Sequence, residues 1–245
     1  MLNGAEVPCF ATNWRDKPQV QYRLQETRAA RKMNLQSKVE GALAAMQHGW
    51  CSIEKAQTLA AAVLALRPSL VVEIGVYAGR SLIPMALAMQ HLGQGKVIGI
   101  DPFDARVSAA GEVEENAEWW ASFDHKQIED AFLSAVDALE LNPFVEHWKL
   151  PSDEATPPEN IGILHVDGSH TEQAIRDVQR FARNVMIGGL VCMDDILWDG
   201  GAVSEAAELL KTMGFEELYR VIGQEEGTQF SNNWCMMQRI DFAAP

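Results

Sequence analysis

Leu70-Val71-Val72-Glu73-Ile74-Gly75-Val76-Tyr77-Ala78-Gly79 opens the stretch that decides the fold, and Lys96-Val97-Ile98-Gly99-Ile100-Asp101 closes it. The first run is short, apolar and rich in β-branched residues, the composition of a strand buried on both faces. Between the two runs, Arg80 to Leu92 carries apolar residues at helical spacing. The second run is another buried strand, and it ends on an acid. Strand, glycine turn, helix and strand make the first half of a nucleotide-type α/β crossover. Gly75 and Gly79 let backbone approach a ligand where a Cβ would block it. Asp101 stands where a carboxylate can accept both hydroxyl hydrogens of a ribose.

The spacing separates this turn from a dinucleotide fingerprint, which needs G-x-G-x-x-G and aims a helix N-terminus at a pyrophosphate. Here the pattern is Glu73-x-Gly75-x-x-x-Gly79. A carboxylate just before the turn repels a pyrophosphate and suits a ligand with a cationic amino group. The pattern resembles the first motif of the class I S-adenosylmethionine-dependent methyltransferases, with Asp101 matching their ribose-binding acid. The resemblance implies that Glu73, Gly75, Gly79 and Asp101 hold S-adenosylmethionine. The competing reading is an ordinary tight strand–helix turn of another α/β protein. Pro84 clashes with a preceding helical turn, so the regular helix is expected to start near Ser81, with Pro84 in its first turn.

The chain has 245 residues, enough for one α/β domain with an extension or at most two small domains, and 47% of them are hydrophobic. No apolar run approaches the roughly 20 residues of a membrane span. The N-terminus shows neither a basic n-region nor an apolar h-region, which argues against a secretory signal. Cys9, Cys51, Cys192 and Cys235 lie far apart with no C-x-x-C pair. That argues against a zinc site or disulfide scaffold and suits a cytoplasmic protein. The formal charge of -14 disfavours a nucleic-acid partner. A small-molecule substrate is the better expectation.

Residues 1–50 read as an N-terminal helical extension, and residues 51–245 as the catalytic domain. After an irregular start, Gln19 to Gln47 carries strong helix formers with a partly regular stripe at Leu24, Met33, Leu35, Val39, Leu43 and Met46. This helix either covers one edge of the sheet or forms a lid or homo-oligomer contact. Ser52 starts the next helix, which runs to about Leu66 before Arg67-Pro68. Pro102 to Asp124 is longer than most connections of its kind. Its Trp119-Trp120 pair either stacks on a substrate ring or anchors the loop. Lys126 to Leu141 is helical again, and Phe144 to Leu150 alternates like a third strand. Ser152 and Asp153 follow that strand, at the edge where ligands lie in such folds; they can bond an adenine edge, as a similar turn does in the related methyltransferases, or simply cap a helix.

Ile161-Gly162-Ile163-Leu164-His165-Val166-Asp167-Gly168-Ser169-His170 is the second informative stretch. A buried strand presents Asp167 and then His170 at its carboxyl end, with His165 inside it as a core or supporting residue. Thr171 to Met186 reads as a helix capped by Ser169 or Thr171 and ended near Gly188-Gly189. Leu190 to Asp195 is a fifth strand ending on acids. Asp167, Asp194 and Asp195 thus fall on the edge that carries Gly75 and Asp101. Converging carboxylates repel unless a cation sits among them, and an all-oxygen set suits Mg²⁺ or a similar hard ion.

These strand-end acids resemble the metal site of the Mg²⁺-dependent small-molecule O-methyltransferases, and Asp167-Gly168-Ser169-His170 is most similar to the methyltransferase-24 and macrocin-type branch. The resemblance spans about Ser69 to Asp195. It implies that Asp167, Asp194 and Asp195 bind the metal. In the catechol type the base is a lysine three residues after the strand-four acid, where this chain has His170. Histidine titrates near neutrality and can take a proton from a hydroxyl; the other reading of His170 is a helix-cap neighbour without chemistry. Trp198 to Gly201 reads as a pocket wall, Ser204 to Met213 as a helix, and Phe215 to Ile222 with Asn233 to Ile240 as a closing antiparallel hairpin.

The expected fold is therefore a Rossmann-like methyltransferase sheet of seven strands, mostly parallel with one reversed. The expected function is metal-assisted O-methylation of a small molecule, a natural product, sugar or catechol-like diol, with His170 and Asp167 catalytic. Three alternatives stay open: a metal-independent methyltransferase, a hydroxylase-like enzyme on the same fold, and a non-enzymatic cofactor-binding protein.

Overall fold

The computed structural model describes residues 34–46, 48–198, 200–224 and 231–241. The irregular N-terminal stretch, most of the Gln19–Gln47 helix, Cys9 and Asp199 lie outside the described residues.

Seven strands form one sheet in the order β3-β2-β1-β4-β5-β7-β6. β1 (Leu70–Ile74), β2 (Lys96–Ile100), β3 (Val145–Trp148), β4 (Ile161–Val166) and β5 (Val185–Asp194) run parallel. β7 (Ser231–Arg239) is the reversed strand, antiparallel to both β5 and β6 (Phe215–Gln224). Among the described residues this is the expected Rossmann-like methyltransferase sheet.

The alternation of side chains across β1 explains how both faces become core. Val71 joins a cluster with α1 (Leu35–Ala45), α2 (Ile53–Leu66), α3 (Leu82–Leu92) and α6 (His125–Ala138). Val72 and Ile74 join the opposite cluster with α7 (Glu172–Phe181) and α8 (Ala202–Thr212). α7 buries Ala174, Asp177, Val178 and Phe181, one stripe at helical spacing. α3 is different: every residue from Leu82 to Met89 is buried, because it is wedged between α1, α2 and the sheet. It starts after Ser81 and takes Pro84 in its first turn, where the missing N–H costs nothing.

α1 belongs to the body of the fold. Leu35, Val39 and Leu43 are buried in the core, and Arg80, next to the glycine turn, donates to the carbonyls of Leu43, Met46 and Cys51.

Two boundaries differ from the sequence expectations. The helix expected over 171–186 ends at Phe181, and β5 already begins at Val185. β-branched Val185 and Ile187 favour extended backbone, and Arg239 holds the intervening turn by donating to the carbonyls of Ala182, Arg183 and Val185. Gly188, at φ +78, then lies inside the strand where the pairing with β4 shifts register. The 102–124 connection also contains two short helices, α4 (Ala105–Ser108) and α5 (Glu114–Ala121). Trp119 and Trp120 pack with Trp50, Tyr77 and Phe123 at centroid separations of 4.7–6.3 Å, so the pair does anchor its loop to the body.

Candidate active site

β1 and β4 are neighbours, and their following connections leave toward opposite faces of the sheet. This opens a crevice at their carboxyl ends, the switch point where such folds bind ligands. Gly75 sits at its apex with φ +86, and a Cβ there would lie 2.1 Å from the Asp167 carbonyl oxygen. Gly79 serves the turn differently. Its N–H closes onto the Val76 carbonyl, and a Cβ would meet the Phe132 ring at 2.6 Å. Gly79 therefore permits close packing of α6, whereas Gly75 borders the crevice.

A cavity of about 1220 Å³ fills the crevice, lined by Gly75, Tyr77, Asp101, Ser152, Asp153, Asp167 and His170, among others. Asp101 Oδ2 accepts the Val76 and Tyr77 N–H groups, both at 2.9 Å, and Oδ1 accepts Phe103 N–H at 2.7 Å. Burial raises the Asp101 pKa against these three hydrogen bonds. The carboxylate thus ties the glycine turn to the end of β2 while bordering the cavity. Gln173 Nε2 donates to Ser152 Oγ at 3.1 Å and Asp153 Oδ1 at 2.8 Å, fixing that turn at the opposite wall.

Glu73 lies beneath the turn, fully buried. It faces His165 in register across β1 and β4. Its Oε1 accepts from Ser81 Oγ and pairs with His165 Nδ1 at 2.7 Å, while Oε2 has no hydrogen-bond partner. Burial pushes Glu73 up to about 8, opposed by the Ser81 hydrogen bond and the charge of Lys55. Burial pushes His165 down to about 3, helped by Lys55, so its imidazole is neutral. Glu73, His165 and Asp167 bring their ligand atoms within 4.8 Å of one another.

Of the three strand-end acids, Asp194 pairs with Lys55 Nζ, which stands 3.7 Å from Asp167 Oδ2. Asp195, with φ +50, instead hydrogen-bonds His170, its Oδ2 lying 3.0 Å from Nε2. The acids are thus divided between two partners. Among the described residues they do not form a cluster of three ligand atoms like that of Glu73, His165 and Asp167. Lys55 has no place in the expectations from sequence. It occupies the first turn of α2 as an ordinary-looking helix residue, and its spacing carries no motif. Asp167's pKa is raised by burial, with Lys55 opposing. For Lys55 burial works against the charge, but Asp167 and its other neighbours raise the pKa on balance.

His170 stacks on Trp198 with centroids 4.0 Å apart and planes 22° from parallel. Its Nδ1 has no hydrogen-bond partner. The helix cap next to it is Thr171, which accepts from Gln173 N–H. Burial works to lower the His170 pKa, but the hydrogen bond to Asp195 and the charges of Asp195, Asp167 and Glu112 raise it on balance.

An open α/β sheet with a glycine turn, a β2 acid and polar strand ends around one crevice is a small-molecule site at the switch point of a Rossmann-like fold. A methyltransferase-domain family model (methyltransferase 24) matches residues 72–196, more than half the chain, and the chain belongs to that family: it is a class I S-adenosylmethionine-dependent methyltransferase. No curated protein matches it in sequence. Among solved structures, it is similar to the O-methyltransferase TomG from Streptomyces achromogenes, involved in tomaymycin synthesis and in complex with SAM. Identity is 12% over 86% of this chain and 91% of that one, with a TM-score of 0.56. An O-methyltransferase from Bacillus cereus in complex with SAH is 14% identical over 89% of this chain and 93% of that one, with a TM-score of 0.53. The SAH-bound Podospora anserina methyltransferase PaMTH1 is 11% identical over 85% and 89%, with a TM-score of 0.57. At these identities the likeness is one of fold.

Proposed function

We propose that the chain methylates a hydroxyl group of a small molecule, using S-adenosylmethionine as donor and His170 as base. The observation that carries this reading is that one cavity borders the glycine turn, Asp101 and His170, the last held from behind by Asp195. The cavity suits the cofactor in two ways. Gly75 leaves a cradle that a Cβ would fill, and the walls carry Asp101, Glu112, Glu115, Asp153, Asp167 and Glu172 against Arg176. Such an acidic lining favours a ligand bearing a sulfonium and an ammonium.

When bound, the cofactor supplies a methyl carbon on a positively charged sulfur that departs with the C–S bond pair. The chain's own part is positioning and proton transfer. Asp195 accepts the Nε2–H of His170 and so leaves the lone pair on Nδ1, a buried atom that the substrate must uncover to reach. That nitrogen takes the hydroxyl proton as the substrate oxygen forms the new O–C bond. Trp198, stacked on the ring, keeps its plane fixed.

The magnesium-assisted form of this reaction requires Asp167, Asp194 and Asp195 to converge on one ion. Their donors do not fit that role as arranged, since the Lys55 ammonium pairs with Asp194 and stands 3.7 Å from Asp167. The mechanism here accordingly runs through the side chains alone.

The direct test is to incubate the protein with S-adenosylmethionine and a panel of phenols, vicinal diols and sugars, and to measure S-adenosylhomocysteine release. Turnover with at least one hydroxyl acceptor, giving an O-methyl product by mass spectrometry, is expected. Methyl transfer only to nitrogen or sulfur acceptors would overturn the reading.

The Asp195 contact sets a pH signature. His170 accepts a proton only when neutral, and its raised pKa places the acid limb of activity above histidine's ordinary 6.5. Activity falls as pH drops through that value. Asp195→Asn removes the charge favouring imidazolium, so the acid limb is expected to move to lower pH while the plateau rate falls. Asparagine tolerates the left-handed backbone at this position. An unmoved pH–rate profile would separate Asp195 from the base.

A further inference from the structure

We infer that Lys55 is the resident cation of the acidic strand ends, a positioning residue that stands where a divalent ion would otherwise be needed. Asp167 and Asp194 follow Val166 and Met193, which are paired in register across β4 and β5. Two carboxylates on adjacent parallel strand ends repel one another in a buried setting unless a positive charge lies between them. The Lys55 ammonium meets that need, pairing with Asp194 and lying 3.7 Å from Asp167 Oδ2.

The lysine is built in. Ser52 caps α2 by accepting the Lys55 N–H at 3.2 Å, so the residue's backbone is fixed at the first turn. Its side chain is 2% exposed. Neighbours Cys51, Ala56 and Leu59 are buried in the same core. A magnesium ion needs about six oxygens at roughly 2.1 Å, and an ammonium bound to Asp194 both removes a ligand and repels the incoming ion.

The consequence is that the acids are organised without a metal, and that removing the lysine creates a metal site. Mn²⁺ binding is measured by electron paramagnetic resonance and calorimetry on the full chain, with no substrate needed. The wild type is expected to show no site-bound Mn²⁺ at millimolar concentration. Lys55→Met is expected to bind one Mn²⁺ per chain, and Lys55→Met/Asp194→Asn to lose it again. A stoichiometric Mn²⁺ site in the wild type that Asp194→Asn abolishes would overturn the inference, as would a folded Lys55→Met protein with no gain of Mn²⁺. Should Lys55→Met fail to fold, the wild-type measurement decides alone.

The activity arm rests on the proposed O-methylation. Turnover is expected to survive chelation by EDTA unchanged, and a loss restored by Mg²⁺ would overturn the inference. Because Mn²⁺ binding is read without turnover, an inactive substrate panel defeats the proposed function and leaves this inference standing or falling on its own.

Discussion

His170→Ala is expected to lower turnover by about 10²–10⁴-fold, the usual contribution of a general base, while leaving S-adenosylmethionine affinity nearly unchanged. The separation follows from geometry. His170 is held by Asp195 and Trp198 at the end of β4 and β5, whereas the glycine turn and Asp101 lie at the ends of β1 and β2. Steady-state rates and cofactor calorimetry on the same preparation read the two quantities. His170→Lys is expected to recover part of the loss at high pH, where a lysine is deprotonated and can accept a proton. Normal turnover by His170→Ala would return the residue to a purely structural role beside the Thr171 cap.

Gly75→Ala carries the second large effect, on stability and cofactor binding together. The backbone is at φ +86, and the added Cβ would stand 2.1 Å from the Asp167 carbonyl oxygen, 2.5 Å from its carbonyl carbon and 2.6 Å from Gly168 Cα. All three atoms are backbone, so no side chain can rotate away. The chain is also pinned there: Gly75 N–H donates to the Ile100 carbonyl and Asp167 N–H to the Ile74 carbonyl, both at 2.9 Å. The backbone conformation alone costs about 1–3 kcal/mol for a non-glycine residue, and relief of the clash requires β1 and β4 to part at the crevice. The expected result is a lower denaturation midpoint and at least tenfold weaker S-adenosylmethionine binding. Wild-type stability and affinity in the alanine variant would show that neither the turn nor its closeness to Asp167 matters to the site.

The alternation and length of apolar runs made most of the sheet readable from sequence. Leu70–Ile74, Lys96–Ile100 and Ile161–Val166 are short runs flanked by turn residues, and a strand buried on both faces has few other compositions. Ser52, Pro84 and Arg67-Pro68 marked helix ends because capping and proline geometry are local. The boundary at Val185 was not readable. It depends on Arg239, more than fifty residues later, reaching back to three carbonyls.

The same division runs through the site. Sequence alone determined which residues stand at the carboxyl ends of the strands: Gly75, Asp101, Asp167, His170, Asp194 and Asp195. A strand's end is fixed by its own apolar run, and parallel strands put all such ends on one edge. Only the tertiary structure decided what those residues touch. Glu73 turned out to bond Ser81 and His165 under the turn, Asp195 to bond His170, and Asp194 to pair with Lys55. A lysine in the first turn of α2 enters the acidic edge because α2 packs across that face of the sheet. The charge partner of a buried carboxylate is set by packing between distant segments, which no local pattern of residues encodes.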